Sequence, residues 1–168
     1  MAPDRVLYIG SASKTLAPGL RLGWLVALAQ LVDRLAAAKI EADRGSPVLD
    51  QFTFADFLIR GEYDRHLRRM RPIYRSRRDA LLRTLHHDLP AIRPAGVSAG
   101  LHLIAYLPAG LDEAAVVRSA AEHGVAVNGL TPHRINPGEP RLIFGFAAMN
   151  ERSIGQAVTA LGAAIRNR

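Results

Sequence analysis

The residues able to do chemistry crowd into one short stretch near the N-terminus. Ser11, Ser13, Lys14 and Thr15 follow one another closely, and Arg21 comes after a Pro-Gly turn. Two hydroxyls and a forked guanidinium near one strand end suit a phosphate dianion. A lysine in such a place can have a depressed pKa and act as a Schiff-base nucleophile. Lys14 and Lys39 are the only lysines among the 22 basic residues, so each invites a question. Blander readings stand beside this one. Lys14 can be an ordinary surface lysine. Arg21 can pair with a carboxylate such as Asp43 or Asp50. A P-loop does not fit, because Ser13 stands where that motif needs glycine before its lysine.

The elements that must position this stretch are legible from patterning. Arg5 to Ile9 and Leu22 to Leu28 read as short buried strands, with a polar turn over Gly10 to Ser13. Leu31 to Ala42 and Val48 to Ile59 read as helices separated by Gly45-Ser46-Pro47. Gly61 to Asp88 carries an apolar stripe of Tyr63, Leu67, Met70, Tyr74, Leu81 and Leu85 at helical spacing. If continuous it spans about 42 Å, and Pro72 is expected to kink or divide it. Beyond Pro90 the texture becomes strand-rich. Strands are expected at Ile92 to Ser98, Leu101 to Leu107, Val125 to Val127 and Arg141 to Ala147. Helices are expected at Leu111 to His123, capped by Asp112, and at Glu151 to Arg166, capped by Asn150. The pattern is α/β passing into α+β.

The stretch GSASKTLAPGLRLGWLVA resembles the lysine loop of fold-type-I enzymes dependent on pyridoxal phosphate. GEYDRHLRRMRPIYRSRRDALL resembles the interdomain helix of MocR-type regulators, which join a GntR-type winged helix to an aminotransferase-like domain. AGLHLIAYLPAGLDEAAVV, GVAVNGLTPHRINPG and RLIFGFAAMNERSI resemble the small domain of the same proteins. The resemblance implies three parts: residues 1–60 as the end of the large cofactor-binding domain, 61–89 as the interdomain helix, and 90–168 as the small domain. It implies that Lys14 carries pyridoxal 5'-phosphate as an internal aldimine. Ser11, Ser13 and Arg21 would hold the cofactor phosphate, and Arg141 the substrate α-carboxylate. Lys14 would also move the α-proton as general base, with an amino acid or amine as substrate or effector. Most of the large-domain sheet, the ring-stacking aromatic, the aspartate on the pyridine nitrogen and the winged helix have no counterpart here. Asn128 stands where the family usually has an aromatic. The expectation is a truncated or split product, acting as a homodimer or with a complementing half. Its uncovered apolar surface should lie around Val6 to Ile9 and Leu22 to Val26.

The remaining constellations say less. The chain has 168 residues and 49% hydrophobic composition, an ordinary globular balance, and no cysteine for a disulfide or thiolate metal site. No apolar run is long enough for a membrane span, and no signal peptide is recognised, so a cytoplasmic protein is expected. Arginines 60, 65, 68, 69, 71, 75, 77, 78 and 83 suggest either a solvated helix face or a basic nucleic-acid surface. His86 and His87 are adjacent and cannot readily chelate one ion, so no metal is expected. Three functions follow: an aminotransferase-like module, a catalytically silent fragment acting by dimerisation or partner binding, and, more weakly, a nucleic-acid-binding module.

Overall fold

The computed structural model describes residues 5–96 and 100–166. Two compact units divide the chain, residues 1–69 and 70–168.

The first unit opens with strands β1 (Tyr8–Ser11) and β2 (Gly23–Val26), paired antiparallel with Gly10 opposite Trp24 and Ser11 opposite Gly23. The expected turn at Gly10 to Ser13 therefore begins two residues later, because Gly10 and Ser11 are held in the ladder. Helices α1 (Ala29–Asp43) and α2 (Val48–Ile59) follow. Arg44 closes α1 in a left-handed conformation, φ 54°, its N–H donating to the Ile40 carbonyl at 2.9 Å. Among the described residues of this unit, Ala12 alone is buried. Val6, Leu7, Tyr8, Ile9, Trp24, Leu25 and Val26 are exposed, as expected from strands without sheet neighbours. The exposed surface extends to Leu49, Phe52 and Ile59 on α2.

Helix α3 (Glu62–Asp88) runs unbroken through Pro72. The expected division does not occur. Pro72 and Arg68 are both exposed, so water can satisfy the carbonyl that proline leaves without an N–H partner. The stripe buries Leu81 and Leu85 in the C-terminal half.

The second unit contains β3 (Arg93–Ala95), β4 (His102–Tyr106), β5 (Asn128–Gly129) and β6 (Arg141–Gly145). They form one antiparallel sheet in the order β3-β4-β6-β5. Residues 97–99, within the expected strand and turn, lie outside the described residues. Strand alternation sends Leu103, Ala105, Leu142 and Phe144 into the core with Leu85, Val116, Val158 and Leu161. Helix α4 (Glu113–Glu122) is capped by Asp112, whose Oδ1 accepts from the Ala115 N–H at 2.7 Å. Helix α5 (Glu151–Arg166) is capped likewise by Asn150, accepting from Ser153 N–H at 2.8 Å. The Ser119 hydroxyl, buried, donates to the Ala164 carbonyl and ties α4 to α5. The expected strand Val125 to Val127 is not in the ladder. Val125 N–H closes the end of α4 on the Ala120 carbonyl at 2.8 Å, and pairing starts only at Asn128. Both valines are nonetheless buried. No helix among the described residues is long and apolar enough to cross a membrane.

Candidate active site

The lysine loop leaves β1 and folds onto one carbonyl. Ala12 N–H donates to the Leu22 carbonyl at 3.0 Å, continuing the β1–β2 pairing by one residue. The Ala12 carbonyl then accepts from Thr15 N–H at 3.3 Å and Leu16 N–H at 2.8 Å, which closes a tight turn around Ser13 and Lys14. Thr15 Oγ1 accepts from the Tyr63 hydroxyl at 2.8 Å. Tyr63 packs edge-on to Phe54, centroids 5.5 Å apart, and Phe54 stacks on Trp24 at 6.3 Å. The loop is thus braced from α2 and α3 by an aromatic chain. Tyr63→Phe removes one hydrogen bond worth about 1 kcal/mol. The amides of Thr15 and Leu16 should then exchange hydrogen faster than in the parent, with the β1–β2 amides unchanged. Unaltered exchange would show that the hydroxyl does not brace the turn.

Ser11, Ser13 and Arg21 converge on one concavity of about 500 Å³, walled by β1, β2 and Lys39 of α1. Among the described residues no carboxylate lines it. Arg21 follows a short 3-10 turn, Pro18–Leu20, and sits in a left-handed conformation at φ 50°. Holding a non-glycine residue there costs about 1–2 kcal/mol. The ion pair of Arg21 with Asp43 or Asp50 does not form. Asp43 is taken by Lys39, one turn earlier on α1, and by the Gly45 N–H. The Lys39 hydrogen bond holds the Asp43 carboxyl below its ordinary pKa. Lys39 is a lining residue that spacing did not reveal; its helical offset from Asp43 was the available signal. Lys14 is exposed in the turn and does not line this concavity. The lining donors among the described residues are hydroxyls and cations, with Lys39 already paired to Asp43, and hydroxyls with a forked guanidinium suit a phosphate dianion. The residues present fit the phosphate end of pyridoxal phosphate.

Arg141 belongs to the second unit, at the start of β6. Its guanidinium lies over the Tyr106 ring, 4.1 Å from the centroid, and Arg93 approaches the same ring at 5.4 Å. The Arg141 Nε is buried without a hydrogen-bond partner. Its backbone N–H donates to Glu113 Oε2 at 2.8 Å, while Glu113 Oε1 accepts from Thr131 N–H at 2.8 Å. Burial alone pushes the Glu113 carboxyl up. The Arg141 and Thr131 N–H groups, with the Thr131 hydroxyl and the Arg134 charge, together outweigh it and leave its pKa below the ordinary value. The spacing of Glu113 and Arg141 gave no hint of this clasp, which joins residues far apart in sequence.

Residues 1–161 match the family described as Aminotransferase class I and II. The chain belongs to this family. It is 33% identical over 163 residues to 2-aminoadipate transaminase of Thermus thermophilus, covering 96% of this chain and 41% of that enzyme. It is 28% identical over 152 residues to YhdI, an uncharacterized HTH-type transcriptional regulator of Bacillus subtilis, covering 89% of this chain and 32% of the regulator. Aminotransferases and transcriptional regulators therefore both stand among its relatives. Among solved structures, LysN, the α-aminoadipate aminotransferase of Thermus thermophilus complexed with N-(5'-phosphopyridoxyl)-L-leucine, superposes with a TM-score of 0.88 at 32% identity, covering 96% of this chain and 42% of that one. Kynurenine aminotransferase of Pyrococcus horikoshii gives 0.87 at 28%, covering 97% and 41%. The chain spans about two fifths of the length of such aminotransferases.

Proposed function

We propose that this chain is the lysine-bearing part of a pyridoxal-phosphate-dependent aminotransferase-type domain of the MocR kind. The observation that carries the reading is the convergence of Ser11, Ser13 and Arg21 on one concavity, with Lys14 in the adjoining turn. Ser11 and Ser13 would donate hydroxyl hydrogen bonds to the cofactor phosphate, and Arg21 would add a forked, charge-assisted pair. Lys14 Nζ would hold the cofactor at its aldehyde end and would carry the substrate α-proton as general base. Arg141 receives the α-carboxylate, which gives its buried Nε the acceptor it lacks. Bound pyridoxal phosphate supplies the electron sink. Residues 1–60, 61–89 and 90–168 act as the end of the large domain, a connecting helix and the small domain. The ligand is an amino acid or amine, and the setting is cytoplasmic.

The test is an absorbance spectrum of the purified chain with pyridoxal phosphate, beside Lys14→Ala. A cofactor band that survives dialysis in the parent and is lost in the variant is the expected outcome. Identical spectra would end the cofactor-binding reading for this chain. A second reading draws on the exposed Leu49, Phe52 and Ile59: a chain that works only as a homodimer or when a complementing half covers this surface. Sedimentation of the cofactor-free chain as a strict monomer, without binding of an apolar dye, would remove it.

A further inference from the structure

The Glu113 clasp fixes the main chain of Arg141 and does nothing for its side chain. Among the described residues no carboxylate stands within ion-pair distance of the guanidinium. Its Nε is buried without an acceptor. What touches it is Tyr106, directly opposite on β4, whose ring centroid lies 4.1 Å from Cζ. No water fits between groups at that distance. The pair lies on the sheet face opposite the core, since Ala105 and Leu142 in the next row point inward. The next outward row, Ile104 opposite Ile143, offers no acceptor for the guanidinium. Arg93 approaches the same ring at the longer distance of 5.4 Å and offers none either.

A ring and a carboxylate hold an arginine in different ways. A carboxylate accepts from the guanidinium and uses up its fork. A ring draws the cation through its quadrupole and consumes none of its five N–H donors. Arg141 is thus restrained with its donors unspent. That is the state in which a carboxylate receptor should wait, because ordering the side chain no longer counts against binding. We propose that Tyr106 is a positioning residue, whose ring sets the Arg141 guanidinium for an incoming carboxylate. The inference rests on the reading of Arg141 as the partner of the α-carboxylate.

The experiment follows the Arg141 Cζ and Nε–H resonances of the full 168-residue chain, without cofactor, during titration with acetate. The resonances are identified by their loss in Arg141→Lys. In the parent, Cζ should lie upfield of the other arginines through the ring current of Tyr106, and acetate should move Nε–H. Tyr106→Leu is expected to abolish the upfield shift and weaken acetate binding about fivefold, which equals about 1 kcal/mol. Tyr106→Phe keeps the ring and is expected to behave as the parent. Tyr106→Thr, which suits a strand, repeats the Leu test where Leu disturbs folding. A parent Cζ without the upfield shift overturns the proposal, and so does parent-like acetate binding in a folded variant that lacks the ring. Equal weakening in Phe and Leu overturns it too, because the hydroxyl would then be the active part. An Arg141 Nε–H that ignores acetate in the parent fails the Arg141 assignment itself, and the positioning role falls with it; the other outcomes leave that assignment standing.

Discussion

Glu113→Ala should destabilise the second unit by about 3–5 kcal/mol, the larger of the expected stability effects. Two backbone N–H groups, of Thr131 and Arg141, donate to this buried carboxylate at 2.8 Å each. Bonds to a charged acceptor are worth about 1.5–3 kcal/mol apiece, and truncation leaves both donors without a partner. The clasp joins the start of α4, the loop from Thr131 to Pro140 and the first residue of β6. Its loss should therefore also free the backbone that carries Arg141. Gly129 lies under the carboxylate, and a Cβ there would meet Glu113 Oε1 at 2.3 Å, so the position opposite cannot accept a side chain without disturbing the clasp. The pH dependence has a definite sign. The folded pKa is lowered, so the contribution is complete above the unfolded glutamate value of about 4.3 and is lost as pH falls through the folded value. Urea unfolding followed by circular dichroism from neutral pH downward checks this. Glu113→Gln should lose stability at neutral pH and show a shallower acid slope than the parent. An acid slope identical to the parent's would show that the carboxylate does not hold these amides in its charged form.

What could be read from the sequence follows physical range. Helix α2 matches its expected bounds because Pro47 and Gly61 punctuate an uninterrupted helical stretch. Asp112 and Asn150 cap as expected, since capping depends on residues three positions apart. The lysine loop was visible as a motif, and Ser11, Ser13 and Arg21 do share one concavity. Long-range pairings were not visible. Tyr63 reaching Thr15, Glu113 reaching Arg141, and the Arg93–Tyr106–Arg141 row each depend on register or packing that no local pattern encodes. Val125 to Val127 has the composition of a strand, yet its first amide serves the end of α4. Hydrophobic patterning there reported burial and not pairing. Pro72 does not divide α3: its lost hydrogen bond falls on an exposed helix face, where water can replace it.

Gly10→Ala should collapse the concavity at its back wall. Gly10 faces Trp24 across the β1–β2 ladder, and a Cβ would stand 2.3 Å from Trp24 Cε2 and 2.4 Å from Nε1. Those atoms belong to a rigid indole that already stacks on Phe54, so the ring must move as a whole or the strands must part. Overpacking of this kind costs about 1–3 kcal/mol. The displacement would propagate to Phe54 and then Tyr63, the brace of the lysine turn. Trp24 is the only tryptophan, so its fluorescence reports the change directly. The expected result is a shifted emission together with about tenfold weaker retention of pyridoxal phosphate, equivalent to about 1.4 kcal/mol. Gly19→Ala is the control, because a Cβ there meets nothing within 4 Å. Both variants lose a glycine and gain a methyl in the same unit; they differ in whether that methyl strikes the indole. Equal retention in the two would mean that the wall formed by Trp24 has no part in holding the cofactor, and that the hydroxyls and Arg21 hold it without that support.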